Sequence, residues 1–236
     1  MQLSSSRWVK EREITLVRKL ISSRVDGVLL APISPDSPSI AMMQRAKMPF
    51  VLINCINNSN SVSYVSCDNV KGGEVAATYI NTLEKEQVIA ITGFTHQTVT
   101  DRLKGFTDSL DKTTVLKQYP DVKTLEDGYQ LVPLLIARDK INKIKTTLFV
   151  ANDNVAVGVI NRLIEYNIAI PEQVAVVGYD NIRLSNLCRV PLTTISQSIF
   201  DMGRIAALEL MEIINSNDDI PRRHLIEPTL ITRESS

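Results

Sequence analysis

Polar side chains follow most of the predicted β-strands of this 236-residue chain. Amides and carboxylates come directly after the apolar runs LFVA, VAVVGY and TTIS, at Asn152, Asp153, Asp180 and Gln197. In an open α/β sheet, ligands bind outside the carboxyl ends of the strands. Carboxylate, amide and guanidinium groups at such an edge can address vicinal hydroxyls or the edge of a heterocycle. The pattern therefore predicts a binding site for a small polar ligand such as a sugar.

Two more positions extend this set of polar residues. Asp68 follows the run SYVSC, and Arg102 lies early in a predicted helix, where the helix dipole disfavours a cation. A local alternative exists for each residue type. The aspartates can cap the helices that follow them, and Arg102 can pair at the surface with Asp101 or Asp108. Because several such positions coincide at one sheet edge, a ligand site is favoured over capping alone.

The composition excludes several classes of protein. The chain has 26 Lys and Arg against 26 Asp and Glu, so no net charge draws it towards nucleic acid or an anionic membrane. No apolar run approaches the roughly 18 residues that cross a bilayer, and the first ten residues do not resemble a signal peptide, which predicts a cytoplasmic chain. The three cysteines, at positions 55, 67 and 188, are predicted to be reduced thiols.

Catalytic motifs are missing from the sequence. It contains no nucleophile elbow, phosphate-binding loop, dinucleotide-binding glycine pattern or zinc-protease motif. With only His96 and His224 as histidines and no paired cysteines, neither a metal site nor a cofactor is predicted. Paired carboxylates such as Asp68 and Asp180 could in principle do acid/base chemistry. An enzyme therefore stays a distant alternative to a binding protein.

Apolar periodicity predicts an α/β fold, because short runs rich in Val and Ile alternate with segments of helical spacing. Strands are predicted over Val25–Pro32, Phe50–Asn54, Ser63–Cys67, Val88–Gly93, Thr147–Ala151 and Val174–Tyr179, with shorter ones near Val115 and Thr193. Helices are predicted over Lys10–Ser22, Asn69–Leu83, Thr100–Leu110, Leu125–Arg138, Asn154–Tyr166 and Ile199–Asn215. The near-continuous apolar strands indicate parallel sheets covered on both faces.

A series of segments resembles one family along essentially the whole chain. They read, in order, RVDGVLLAP, FVLIN, CDNVKGGEVAATYI, DRLKGF, FVANDNVAVGVI, IPEQVAVVGYDN, PLTTISQ and TLITRES. Together they resemble the effector-binding core of the lactose/galactose repressor family. The resemblance implies a fold like that of periplasmic binding proteins, with two α/β lobes, parallel sheets and a ligand cleft between the lobes. It also implies a homodimer in which a small-molecule effector, a sugar or sugar derivative, controls DNA binding.

The lobes are predicted as residues 1–85 with 198–219, and residues 86–197 with 220–236. By the resemblance, Arg102 matches the arginine that grips the effector, Asp180 matches the aspartate that hydrogen-bonds it, and Asn152 and Asp153 line the cleft. Thr98 and Gln197 are weaker matches. Many family members carry an aromatic residue for stacking where this chain has Val122 and Lys123. This departure favours a more polar or anionic effector.

The family's DNA-binding headpiece, and the first strand and helix of its amino-terminal lobe, have no counterpart in the sequence. We therefore expect this chain to contact DNA only through a headpiece that it does not itself contain. The alternative is a stand-alone soluble sugar-binding protein of the periplasmic type. Arg102 and Asp180 are expected to pair when no ligand is bound, which would lower the pKa of Asp180. Truncating either side chain is expected to weaken ligand binding and to leave folding little affected.

Overall fold

The computed structural model describes residues 2–93, 96–216 and 220–236, and the chain divides into two compact units. The first unit is Met1–Cys67 with Ile199–Ile226, and the second is Asp68–Ser198 with Glu227–Ser236. In chain order the elements are α1 (Lys10–Ser22), β1 (Val28–Leu30), α2 (Pro38–Arg45), β2 (Phe50–Ile53), β3 (Tyr64–Cys67), α3 (Asn69–Asn81), β4 (Gln87–Ile91), α4 (Gln97–Ser109), β5 (Val115–Tyr119), α5 (Leu125–Asp139), β6 (Thr146–Val150), α6 (Asp153–Glu165), β7 (Val174–Asp180), a 3-10 helix (Arg183–Asn186), β8 (Thr193–Ser196), α7 (Ile199–Ser216), β9 (Arg223–Ile226) and β10 (Thr229–Ile231). None of the described helices is long and apolar enough to cross a membrane.

The first unit is built on a four-stranded parallel sheet with the order β1-β2-β3-β9. Side chains alternate between its faces, as the period of a strand requires. Leu52 of β2 packs with Ile40 of α2 on one face. Its neighbour Val51 packs with Met202 and Ala206 of α7 on the other. Helices therefore cover both faces of this sheet.

The second unit is built on a six-stranded sheet with the order β10-β8-β7-β6-β4-β5. Its pairs are parallel except that β10 runs antiparallel to β8. Every residue of β4 and of β6 is buried. On one face, Leu148 of β6 packs with α5 and α6, and on the other face Phe149 packs with α3 and α4. Because both faces are covered, the strands read as continuous apolar runs.

The position of α3 differs from the predicted lobe boundaries. The prediction assigned residues 68–85 to the first lobe, whereas α3 lies in the second unit against α4. Two glycines permit this close approach: a Cβ at Gly73 would lie 2.0 Å from the carbonyl oxygen of Arg102, and one at Gly105 would lie 1.9 Å from that of Val70. Conversely, β9 lies in the first unit because it pairs with β3. The predicted boundary at residue 219 falls outside the described residues.

Four elements were not predicted from the sequence: α2, the 3-10 helix, β9 and β10. The segment before α2 is rich in Pro and Ser, which is typical of a loop. In the structure the Ser37 side chain caps the helix by accepting from the backbone N–H of Ser39, and Pro38 occupies the first turn, where its missing N–H costs nothing. The two late strands are short and only partly buried, so they lack an apolar run. The predicted helices and strands all form, with ends within three residues of the prediction.

Candidate functional site

Arg102 lies at the centre of a polar cluster at the carboxyl end of the six-stranded sheet. Its side chain is on α4 and is only 4% exposed. Nε donates to Oδ1 of Asn69 at 2.9 Å, and Nη1 donates to the carbonyl oxygen of Ala151 at 2.8 Å and to Oδ1 of Asp180 at 3.2 Å. The guanidinium carbon also lies 3.8 Å from the centre of the Tyr179 ring. These contacts fix the guanidinium plane, and no described residue accepts from Nη2.

The Asp180 carboxylate collects donors from several segments of the chain. Besides Arg102, it accepts from Nδ2 of Asn152 at 2.8 Å and from Nε2 of Gln197. The predicted pairing with Arg102 is confirmed. The predicted direction of the pKa shift is wrong: burial raises the pKa of Asp180, and the opposing effects of Arg102 and Gln197 are smaller. Desolvation dominates because the carboxylate is almost entirely withdrawn from water.

The backbone at the end of β7 adopts an uncommon conformation. Asp180 has a φ of 120° and Asn181 has a φ of 52°, both in the region that favours glycine. Side-chain contacts hold this turn. Oγ1 of Thr194 accepts from the backbone N–H of Asn181 at 3.3 Å, and Nη2 of Arg233 donates to Oδ1 of Asn181 at 2.7 Å. Strained residues held in this way are typical of binding sites.

Asn152 has two roles. Its Oδ1 accepts from the backbone N–H groups of Asn154 and Val155 and so caps α6. Its Nδ2 donates to Asp180 within the cluster. Asn152 therefore caps α6 and belongs to the polar cluster at the same time, so the two alternatives weighed from the sequence both apply to it.

Asp153 is fully buried, beneath the cluster instead of on its surface. Its Oδ1 accepts from Oγ1 of Thr194 at 2.8 Å, and its Oδ2 accepts from Oγ of Ser185 at 2.6 Å and from the backbone N–H of Ile182 at 3.2 Å. Burial raises the pKa of Asp153 to about 6, although the two hydroxyl donors lower it. A ligand cannot reach this carboxylate without displacing those partners.

The remaining predicted residues differ in their relation to the cluster. Gln197 is buried and joins it through Asp180, and no described residue donates to its Oε1. Thr98 lies one turn before Arg102 on α4, and no hydrogen bond links it to the cluster among the described residues. Asp68 caps α3 by accepting from the backbone N–H of Lys71 at 2.9 Å. For Asp68 the capping alternative accounts for its contacts.

Two members of the cluster were missed. Asn69 was predicted only as the first residue of a helix that follows a strand end, although its Oδ1 orients the Arg102 side chain. Tyr179 was assigned to a strand, although its ring faces the guanidinium. A glycine is required at position 72 because a Cβ there would lie 1.9 Å from the Tyr179 hydroxyl oxygen. The position of Asn69 at a strand end was a usable signal, whereas nothing in the sequence marked Tyr179.

The cluster offers both donors and acceptors to a ligand. Nη2 of Arg102 can donate, and Oε1 of Gln197 and the carboxylate of Asp180 can accept. Val122, where an aromatic side chain for stacking was sought, is buried in the apolar core. Within the described residues, no three His, Cys, Asp or Glu side chains converge to hold a metal ion. The arrangement suits recognition of a small molecule that carries several hydroxyl groups.

Comparisons with known proteins identify the family and the fold of this chain. A family model described as a periplasmic binding protein-like domain matches residues 86–236. The "HTH-type transcriptional repressor PurR" of Pasteurella multocida (strain Pm70) is 30% identical over 92% of this chain and 66% of its own length. The chain thus spans about two thirds of the length of that relative.

Solved structures of regulators share the fold. A complex of the transcriptional regulator CelR with cellobiose is 27% identical, with a TM-score of 0.81, and the match covers 96% of this chain and 70% of that chain. A LacI family transcriptional regulator from Enterococcus faecalis V583 with bound ribose is 29% identical, with a TM-score of 0.81, over 95% of this chain and 82% of that chain.

Proposed function

We propose that this chain, which belongs to the periplasmic binding protein-like domain family, binds a sugar or sugar derivative at the Arg102–Asp180 cluster. Within that family it is an effector-binding core of the lactose/galactose repressor type. The observation that carries the proposal is the buried pair of a guanidinium and a carboxylate at the carboxyl end of the six-stranded sheet. A sugar hydroxyl can both donate and accept a hydrogen bond. The guanidinium of this pair supplies donors and the carboxylate supplies acceptors.

The similar structures support a sugar as the effector class, since one holds cellobiose and another holds ribose. The free Nη2 edge of Arg102 also suits a phosphate or carboxylate oxygen on the sugar. We therefore include phosphorylated sugars in the proposed class. Binding, without turnover, is the role we assign, so the ligand is expected to be recovered chemically unchanged.

A thermal-shift screen tests the effector class. D-ribose, cellobiose, a sugar phosphate and a set of nucleobases are each added in excess, because a ligand that binds only the folded state raises Tm. We expect a rise with at least one sugar, confirmed by calorimetric titration. Gln197→Ala should weaken that binding by about tenfold through loss of one polar contact and its support of Asp180. Asp127→Asn, in the capping box of α5, is the matched control and should bind like the wild type. A response to nucleobases alone would reject the sugar assignment.

Gene regulation, as opposed to stand-alone sugar binding, is the biological role that we propose, with a cytoplasmic location. The named repressor and regulators among the similar proteins support it. Specific DNA contact would then need a headpiece, so we expect the 236-residue chain alone to show at most non-specific DNA binding in mobility-shift experiments. Retention of one operator sequence in the presence of competitor DNA would contradict this proposal.

We also propose that the chain acts as a homodimer. The support is the homodimer that the family resemblance implies, together with apolar side chains that α7 leaves exposed, such as Leu208 and Met211. Light scattering coupled to size exclusion should give twice the 26.3 kDa mass of one chain. A single-chain mass across the micromolar range would reject the dimer.

A further inference from the structure

The carboxylate of Asp153 joins segments of the chain that are distant in sequence. It lies at the start of α6 and accepts hydrogen bonds from the residue that follows the β7 turn, from the 3-10 helix and from β8, at Ile182, Ser185 and Thr194. Oγ1 of Thr194, which donates to Asp153, also accepts from the backbone N–H of Asn181 at 3.3 Å. Asp153 thus holds the segment that immediately follows Asp180.

The sheet is shaped around this carboxylate. A Cβ at Gly178 of β7 would lie 2.2 Å from Oδ1 of Asp153, so only glycine lets the strand pass at this distance. Among the described residues, no cation hydrogen-bonds to Asp153, and the carboxylate of Asp180 is a nearby like charge that raises its pKa. Burying a charge without a counter-ion is costly, and apolar residues of similar volume would stabilise such a position better. The position therefore calls for a role other than stability.

The turn that follows the β7 strand suggests what this role is. Asp180 and Asn181 have positive φ values, and Ile182 is the next residue. A strained turn persists only when its surroundings hold it. The hydrogen bond from the backbone N–H of Ile182 to Asp153 fixes the end of this turn, and Thr194 links the backbone N–H of Asn181 to the same carboxylate.

We propose that Asp153 is a positioning residue for the effector site. The effector does not contact Asp153, and Asp153 orients the Asp180 side chain by holding the turn at residues 180–182. This rests on the proposed function in so far as Asp180 contacts the effector. The carboxylate acts through the hydrogen bonds that it accepts from three segments. An amide in its place cannot accept from all three donors, and a protonated acid turns one oxygen into a donor, so one of the three hydrogen bonds must rearrange.

The ionisation of Asp153 then couples the site to pH. The titratable group that faces it from β7 is Asp180, and the Cys188 thiol faces it from the segment after the 3-10 helix. Beyond them, Arg102 pairs with Asp180, and Arg233 acts on Cys188. Because the pKa of Asp153 is raised to about 6, acidification from neutral pH protonates it and removes one acceptor.

A ligand-free experiment tests the positioning role directly. Asp153→Asn and Ser185→Ala are compared with wild type, with Asp127→Asn as a control that also alters a carboxylate near a helix start. Amide hydrogen exchange at Ile182 and the NMR titration of the Asp180 carboxyl carbon are measured. We expect exchange at Ile182 to become about tenfold faster in both test variants and the Asp180 midpoint to move, with neither change in the control.

Ser185→Ala keeps the carboxylate and removes one donor, so it remains informative if Asp153→Asn does not fold. Unchanged exchange at Ile182 and an unchanged Asp180 titration in the folded variants would overturn the proposal.

A double-mutant cycle then connects Asp153 to binding, with D-ribose and cellobiose as probes. Asp153→Asn should weaken binding of the responding sugar by about tenfold in the wild-type background and have little further effect in Asp180→Asn. Wild-type affinity should fall as the pH drops through about 6, while that of Asp153→Asn should stay flat over that range. Equal losses in both backgrounds would show a merely structural role. If neither sugar binds the wild type, the sugar assignment fails, and the ligand-free result still decides the positioning role.

Discussion

The carboxyl ends of the strands carry different chemistry in the two units. In the second unit, Arg102, Asp153 and Asp180 are withdrawn from water as one interacting set. In the first unit, Glu13 is the one buried charged residue among those described, and it accepts from the backbone N–H of Ile33 and from the Ser37 hydroxyl. A single carboxylate there anchors a loop. The comparison indicates that the second unit is built to present charges, whereas the first uses a charge to hold its own backbone.

The apolar packing differs in the same sense. Every residue of β4 and β6 is buried in the second unit, but α7 of the first unit buries only Met202 and Ala206 completely. Leu208 is 53% exposed and Met211 is 58% exposed on the same helix. Since apolar burial supplies most of the favourable free energy of folding, a densely packed frame can tolerate the desolvation cost of buried charges.

The largest expected effect is on the core of the second unit. Phe149 stacks on Phe106 with ring centres 4.2 Å apart, and both are fully buried. Phe149→Ala should lower the free energy of unfolding by about 3–5 kcal/mol, measured by urea denaturation. Leu208→Ala on α7 should change it by less than about 0.5 kcal/mol in the monomer. A large loss for Leu208→Ala would show that the exposed face of α7 is covered in solution.

The next effect concerns buried and exposed ion pairs. Arg102→Ala leaves the Asp180 carboxylate buried without its cation, so we expect a loss of about 3 kcal/mol in unfolding free energy. This replaces the expectation from sequence that folding would be little affected. Arg204→Ala in the first unit breaks an ion pair with Asp201 in which both side chains are 54% exposed. We expect it to lower the free energy of unfolding by only about 0–1 kcal/mol.

Adding Asp180→Asn to Arg102→Ala should restore part of the stability, because the uncompensated charge is then removed. If the double variant is no more stable than Arg102→Ala alone, the loss comes from packing of the guanidinium instead of from charge.

A smaller effect concerns the pH dependence of stability. The folded-state pKa of Asp153 is raised to about 6 from an ordinary 3.8, so the folded chain binds a proton that the unfolded chain has released. The stability contributed by this group is fully present below the unfolded pKa and is lost as the pH rises through about 6. The unfolding free energy of wild type relative to Asp153→Asn should therefore fall by about 2 kcal/mol from pH 4 to 7.

Asp127 provides the opposite sign. Backbone donors lower its pKa, so its contribution is present above the unfolded pKa and is lost on acidification. Asp127→Asn should accordingly have a lower free energy of unfolding than the wild type at neutral pH, and this difference should disappear in acid. The same sign in both variants would contradict the assigned shifts.

The smallest effect is expected in the first unit, where His224 bonds to Oε1 of Glu209 at 2.8 Å with the imidazole 41% exposed. His224→Gln should change the free energy of unfolding by about 0.5 kcal/mol, because the imidazole is half exposed and Glu209 keeps its hydrogen bond from Arg222. Thermal melts at neutral pH measure it. A loss comparable to that of Arg102→Ala would remove the contrast between the two units.

Most helices and strands could be predicted from the local sequence. The elements that were missed or misplaced depend on contacts with segments distant in the chain. Helical spacing defined α1 nearly to the residue, and α5 and α6 also begin at residues whose side chains cap them. The short strands β9 and β10 form because β3 and β8 offer them an edge, and no local pattern marks them. The placement of α3 likewise depends on the glycine contacts with α4.

The sequence by itself determined which strand ends carry amides and carboxylates, because strand ends and caps follow from periodicity within a few residues. Only the tertiary structure decided which of these meet. Asn69, Arg102 and Asp180 are far apart along the chain and converge through the packing of α3, α4 and β7. It also decided that the pKa of Asp180 rises and that Asp153 lies beneath the site, because desolvation depends on every neighbour that excludes water, and those neighbours come from remote segments.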